Sequence, residues 1–213
     1  MGFLGEISNE EHRLLGIASS MDEFEGYAAG EANRVAWVAD ALAEKFGLAR
    51  RDRESLAQAA LLHDIGEMSM GRDYIRAARE LSAYERLDLE RHPVIGEQEV
   101  AKLELPKSTQ LLVRWHHEWW NGDGYPDGLE ADQIPLSARI LRVADAYCAL
   151  TADRPWRKAL SEEDARRHLT EWAALEFDPA VVMAFRDITL PVSAPETAPE
   201  PERESRPIFS SYS

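Results

Sequence analysis

The chain has 213 residues, enough to bury one hydrophobic core without disulfide or metal staples. Lys and Arg total 24 against 39 Asp and Glu, a formal charge of −15, which excludes coating a nucleic-acid polymer with a basic face. The lone Cys148 rules out an intramolecular disulfide, no stretch nears the roughly 20 apolar residues of a membrane span, and no basic-then-apolar leader opens the chain. A cytoplasmic protein with no membrane partner is expected.

Helix signals run through the chain in order. Residues 22–46 carry Ala32, Val35, Ala36, Val38, Ala39, Leu42 and Phe46 at helical spacing, stopped by Gly47. Residues 53–63 repeat the pattern with Leu56, Ala59, Ala60 and Leu62. Ser82 with Glu85 reads as a capping box opening a helix to about Arg91. Pro93, Pro106, Pro135 and Pro179 can each open a helix, since a proline in the first turn gives up an N–H that has no partner there anyway. Ser161 with Asp164 caps another, and the last helix is expected to end near Leu190. Between these, residues 121–128 (Asn-Gly-Asp-Gly-Tyr-Pro-Asp-Gly) form a loop by composition. No alternating strand pattern and no internal repeat appear. An all-α fold follows, organised as an N-terminal segment 1–20, a domain 21–190 and a disordered Pro/Glu/Ser-rich tail 191–213.

Chemistry-bearing residues sit at the ends of these helices. His63-Asp64 closes an apolar helix, His92 precedes Pro93, His116-His117-Glu118 leads into the glycine-rich loop, and Asp145 interrupts an otherwise apolar helix. Imidazole and carboxylate together suit Mn, Fe or Zn. A buried aspartate without a cation loses several kcal/mol of hydration. His12 and His168 have no such company and read as ordinary histidines.

In chain order these stretches resemble the HD-GYP family of HD-superfamily phosphohydrolases. The matching runs are Ala59 to Gly66, Arg91 to Gly96, His116 to Leu129, Ile134 to Ile140, Val143 to Tyr147, and Ala149 to Arg154 with Pro155. The likeness covers about residues 20 to 190. It implies an all-α HD-superfamily bundle with a Gly-rich loop and a metal site in its core. It also implies a metal-dependent phosphodiesterase hydrolysing cyclic di-GMP, or a related nucleotide phosphoester, through a metal-bridging hydroxide. The resemblance carries over His63, Asp64, His92, His116, His117 and Asp145 as ligands of two divalent ions, Fe or Mn. Asp64 bridges them, with His92, His116 and His117 on one ion and His63 and Asp145 on the other. Tyr125 and Pro126 border the substrate, and Arg154 and Arg157 contact its phosphates.

The chain departs from the family pattern at three places. Glu31 stands where a histidine ligand is usual, either as a carboxylate ligand or as a solvent-facing glutamate. Glu67 replaces a lysine that faces the substrate phosphate, which trades attraction for repulsion of about 1–4 kcal/mol in a catalytic position. Cys148, in place of an aspartate, reads as a packed core residue. The alternative to an enzyme is a catalytically degenerate module that binds metal or nucleotide and signals through a protein partner, with the paired Trp119 and Trp120 as a candidate contact.

Overall fold

The computed structural model describes residues 8–26, 30–154 and 157–189. Within them lie ten α-helices: α1 (Asn9–Glu25), α2 (Glu31–Lys45), α3 (Arg50–Leu62), α4 (Ile65–Met70), α5 (Ala83–Leu89), α6 (His92–Lys102), α7 (Lys107–Trp115), α8 (Leu136–Leu150), α9 (Glu162–Glu171) and α10 (Pro179–Arg186). Two 3-10 turns, Asp73–Arg76 and Ala131–Gln133, complete the regular structure. Bridging between extended residues is limited to three isolated pairs among the described residues. The tail expected at 191–213 lies outside them. No helix described is long and apolar enough to cross a membrane.

The local start signals act as expected. Ser82 Oγ accepts from Glu85 N–H while Glu85 returns a bond to Ser82 N–H, and Ser161 Oγ accepts from Asp164 N–H. Helices begin at or within one residue of Pro93, Pro106, Pro135 and Pro179. The first expected helix needs correction. The run 22–46 is broken, because α1 ends at Gly26 (φ 74) and α2 starts after Gly30 (φ 91), both in the left-handed region that suits glycine. Asp22, projecting from α1, accepts from the N–H groups of Gly30, Glu31 and Ala32 at 2.7, 3.1 and 3.3 Å and so caps α2 through space. The boundary expected at residue 20 falls inside α1, whose Leu14, Ala18 and Met21 are buried in the common core. The last helix ends at Arg186, short of Leu190.

Helices α2, α3 and α8 make the centre. Helix α2 buries Ala32, Val35, Ala36, Val38, Ala39, Leu42 and Ala43, and its alanines allow close approach of its neighbours. Helix α8 buries Ile140, Leu141, Val143, Ala144, Tyr147 and Cys148. Each large apolar side chain removed from water there contributes about 1.5–3 kcal/mol. This trio brings Asp145 of α8 and His63, at the end of α3, to the same place.

Candidate metal centre

His63 and Asp64 form the corner between α3 and α4, His92 is the first residue of α6, and His116 and His117 follow the end of α7. Four helix ends therefore meet at one point, and Asp145 reaches it from the middle of α8. The approach depends on glycine. A Cβ on Gly66 would lie 2.0 Å from the carbonyl oxygen of His92, so α4 and α6 touch backbone to backbone just where Asp64 meets His92. Gly124 is constrained in the same way, its added Cβ falling 2.2 Å from Trp119 N.

Three imidazoles share one hydrogen-bond arrangement. Nδ1 of His63, His92 and His116 lies 2.9, 2.8 and 2.7 Å from the carbonyl oxygens of Ala60, Leu89 and Val113, each three residues earlier. A carbonyl can only accept, so Nδ1 carries the proton and Nε2 is left to bind. All three Nε2 atoms face Asp64. His63 lies 3.1 Å from Oδ2, while His92 and His116 lie 3.3 and 3.6 Å from Oδ1. The Nε2 atoms of His92 and His116 are 3.2 Å apart. Two lone pairs pointed at each other and at a carboxylate call for a cation between them, and the donor set fits a divalent metal. Donor atoms of Asp64, His92, His116 and His117 all lie within 4.8 Å of one another. A second group forms on the other oxygen, where His63 Nε2 is also 3.6 Å from Asp145 Oδ1.

The electrostatics fit the same reading. Burial pushes the Asp64 carboxyl up, but His63 and the other rings outweigh it and hold the group well below the usual carboxylate range. Burial works against a charge on His63, yet Asp64 and Asp145 raise it well above the ordinary imidazole value. His92 is also raised, whereas burial drives His116 and His117 down. The raised His63 and His92 favour positive charge where metal cations would sit, so metal binding would compete with protons there.

The site opens into a cavity of about 360 Å³, within the ordinary range for small-molecule sites. Seven of its lining side chains are carboxylates, and two, Arg142 and Arg154, are guanidiniums. Tyr125 lines it, stacked on His117 with ring centroids 4.8 Å apart, while Pro126 follows through a cis peptide and is not part of the wall. Glu67 is in the wall beside His92, Oε1 lying 4.0 Å from Nδ1, and burial with nearby Asp64 pushes its carboxyl up to about 7.

Two expectations meet a different arrangement. Glu31 is neither in the Asp64 cluster nor turned to solvent, because both its oxygens pair with Nη1 and Nη2 of Arg154. Arg157 turns away from the cavity. Its guanidinium donates to the carbonyls of Ala149, Leu150 and Lys158, satisfying the open end of α8. Trp119 and Trp120 are half-buried, Trp119 edge-on to the exposed Trp172 and Trp120 beneath Arg139.

Sequence reasoning gave no site role to four contributors. His168 lines the cavity and stacks on Trp172. Glu118, 2 % exposed, accepts from Asp127 and Leu129 N–H and folds the glycine-rich loop. Glu25 and Arg142 also reach the cavity wall. A charged residue within an apolar helix was the available signal for Arg142, and it applied equally to Asp145.

Residues 7–181 match a family described as the HD domain. The 3'3'-cGAMP-specific phosphodiesterase 3 of Vibrio cholerae is 34% identical over 160 residues, which cover 75% of this chain and 35% of that one. The cyclic di-GMP phosphodiesterase response regulator RpfG of Xanthomonas campestris is 31% identical over 191 residues, 85% of this chain and 49% of that one. The chain thus spans about a third to a half of these relatives. A crystal structure of a cyclic GMP-AMP-specific phosphodiesterase of V. cholerae superposes with a TM-score of 0.66 at 17% identity, covering 82% of this chain and 47% of the other, a likeness of fold.

Proposed function

The chain belongs to the HD domain family, and from that membership we propose that it is a metal-dependent phosphodiesterase acting on cyclic di-GMP or a related nucleotide phosphoester. The observation that carries this reading is the convergence of three oriented Nε2 atoms on the Asp64 carboxylate. Asp64 would serve two divalent cations, Fe or Mn, with His92, His116 and His117 completing one site and His63 and Asp145 the other. Such a pair supplies an activated water and neutralises charge gathering on the phosphate.

The chain's own groups bind and orient. Arg154 is the cavity guanidinium that can exchange its Glu31 partner for a phosphate, since its planar fork suits both. Tyr125, held parallel to His117, forms a wall of the substrate space. Glu67 is in the catalytic pocket, where burial and the neighbouring Asp64 raise its carboxyl in the metal-free site and bound cations would oppose that rise. Asp64→Asn removes the charge that both cations share.

The Glu31–Arg154 pair also favours a degenerate module, because it occupies the cation a phosphate would use, and so does Glu67 in place of a lysine. Elemental analysis after supply of Mn(II) or Fe(II), with cyclic di-GMP hydrolysis on the same sample, separates the two readings. We expect about two ions per chain and turnover, with both lost in Asp64→Asn along with a fall in Tm, since ligands bound to the native state stabilise it. Absence of metal above background would overturn the metal reading. Metal and nucleotide binding without turnover would leave the degenerate module.

A further inference from the structure

Arg142 sits on α8 one turn before Asp145, in the cavity wall, with only 15% of its side chain exposed. Its Nη1 donates to Asp145 Oδ2 at 2.8 Å, and this leaves Oδ1 facing His63 Nε2. Nη2 donates to Glu176, a residue 9% exposed in the α9–α10 connection. That connection is in turn joined to the start of the glycine-rich loop, where Trp120 N–H donates to Glu176 O and Asn121 N–H to Leu175 O. The guanidinium also lies over the Phe177 ring, 5.8 Å from its centroid.

A carboxylate turns easily about its last torsion, because such torsions have broad minima. Unpinned, Asp145 could present either oxygen, or both, to a cation. A guanidinium fixed on Oδ2 removes that freedom and leaves one oxygen directed at the site. Exposed i,i+3 ion pairs do little, but here both side chains are largely buried and the guanidinium is anchored at its far end by a second buried carboxylate.

We propose that Arg142 is a positioning residue of the metal centre, fixing Asp145 so that Oδ1 faces the cation and coupling that geometry through Glu176 to the α9–α10 connection. The inference rests on the metal reading above.

Charge and position predict opposite signs here, which makes the test sharp. A guanidinium beside a cation repels it, so by charge alone Arg142→Gln would tighten metal binding. Positioning requires the reverse. Mn(II) binding is measured by titration calorimetry on wild type, Arg142→Gln and Arg142→Lys, with circular dichroism as the folding check. In Arg142→Gln the affinity at one of the two cation sites is expected to fall about tenfold or more, the usual effect of removing the group that orients a ligand. Arg142→Lys keeps a cation and one donor for Asp145 and is expected to stay within about threefold of wild type. If Arg142→Gln fails to fold, the double variant Arg142→Gln with Glu176→Gln removes the stranded carboxylate and is expected to show the same loss. Wild-type affinity or tighter binding in the Gln variants would overturn the proposal while leaving the metal reading intact, and so would equal losses in the Lys and Gln variants. A wild type that binds no Mn(II) would overturn both.

Discussion

Glu25 shows how far one buried group can work against the fold that contains it. It is 4% exposed at the end of α1, and its Oε1 has no hydrogen-bond partner. Burial, then the nearby Asp64 and Glu67 carboxylates, push its pKa up to about 10 from an ordinary 4.5. Between these two values the native state holds a proton that the unfolded chain has lost. A carboxyl raised on folding therefore costs nothing below the lower value and destabilises progressively as pH climbs through the window. In chelator-treated protein, Glu25→Gln is uncharged at every pH. Its stability advantage over wild type should be small near about pH 5 and exceed about 1.4 kcal/mol near about pH 9, one pKa unit being worth that much. Urea denaturation at both pH values reads the difference, and parallel curves for the two proteins would mean that Glu25 is ionised in the native state.

At the scale of elements, the α4–α6 contact decides whether the site assembles. Gly66 and His92 touch through backbone alone, so a methyl group at Gly66 has no flexible side chain to displace. Gly66→Ala must push the two helices apart, which separates Asp64 from His92, 3.3 Å away. We expect a loss of about 1–3 kcal/mol in denaturant stability, as for other overpacked sites, together with weaker Mn(II) binding. A variant of unchanged stability would show that the helices can slide. How much of this was legible follows from where the signal resides. Ser82, Ser161 and the four helix-opening prolines act on their own next few residues, and the helices start where they say. The break at 26–30 depends on Asp22 capping α2 from eight residues away, which no window of periodicity contains. The residues that gather around Asp64 could be named from their types and order, but their common orientation through Nδ1 could not. Arg154 and Arg157 look interchangeable in sequence. One faces Glu31 across the cavity and the other caps α8, because the fold turns between them. Arg142 showed in sequence only as a charge within an apolar helix, and its tie to Glu176, 34 residues away, did not show at all.

Over the whole molecule, charge sets how a substrate arrives. The chain carries a formal −15, and the cavity has seven carboxyl groups, Glu25 among them protonated, against two arginines. The proposed divalent cations would offset the local excess, but they would not change the sign of the field around the rest of the protein. A cyclic dinucleotide, the proposed substrate, would therefore approach a surface that repels it and meet attraction only at short range. For oppositely charged partners, added salt slows association by screening; here screening removes a repulsion, and the sign reverses. Raising ionic strength from roughly 0.01 M to roughly 0.1 M shortens the screening length from about 30 Å to about 10 Å, less than the width of a domain. Over that range kcat/KM for cyclic di-GMP, measured with saturating Mn(II), should rise about two- to threefold with kcat unchanged. The local contacts lie well inside the screening length and are shielded much less. A fall in kcat/KM with salt would mean that the cations and arginines dominate the field the substrate feels from a distance, and that the acidic surface faces away from its path.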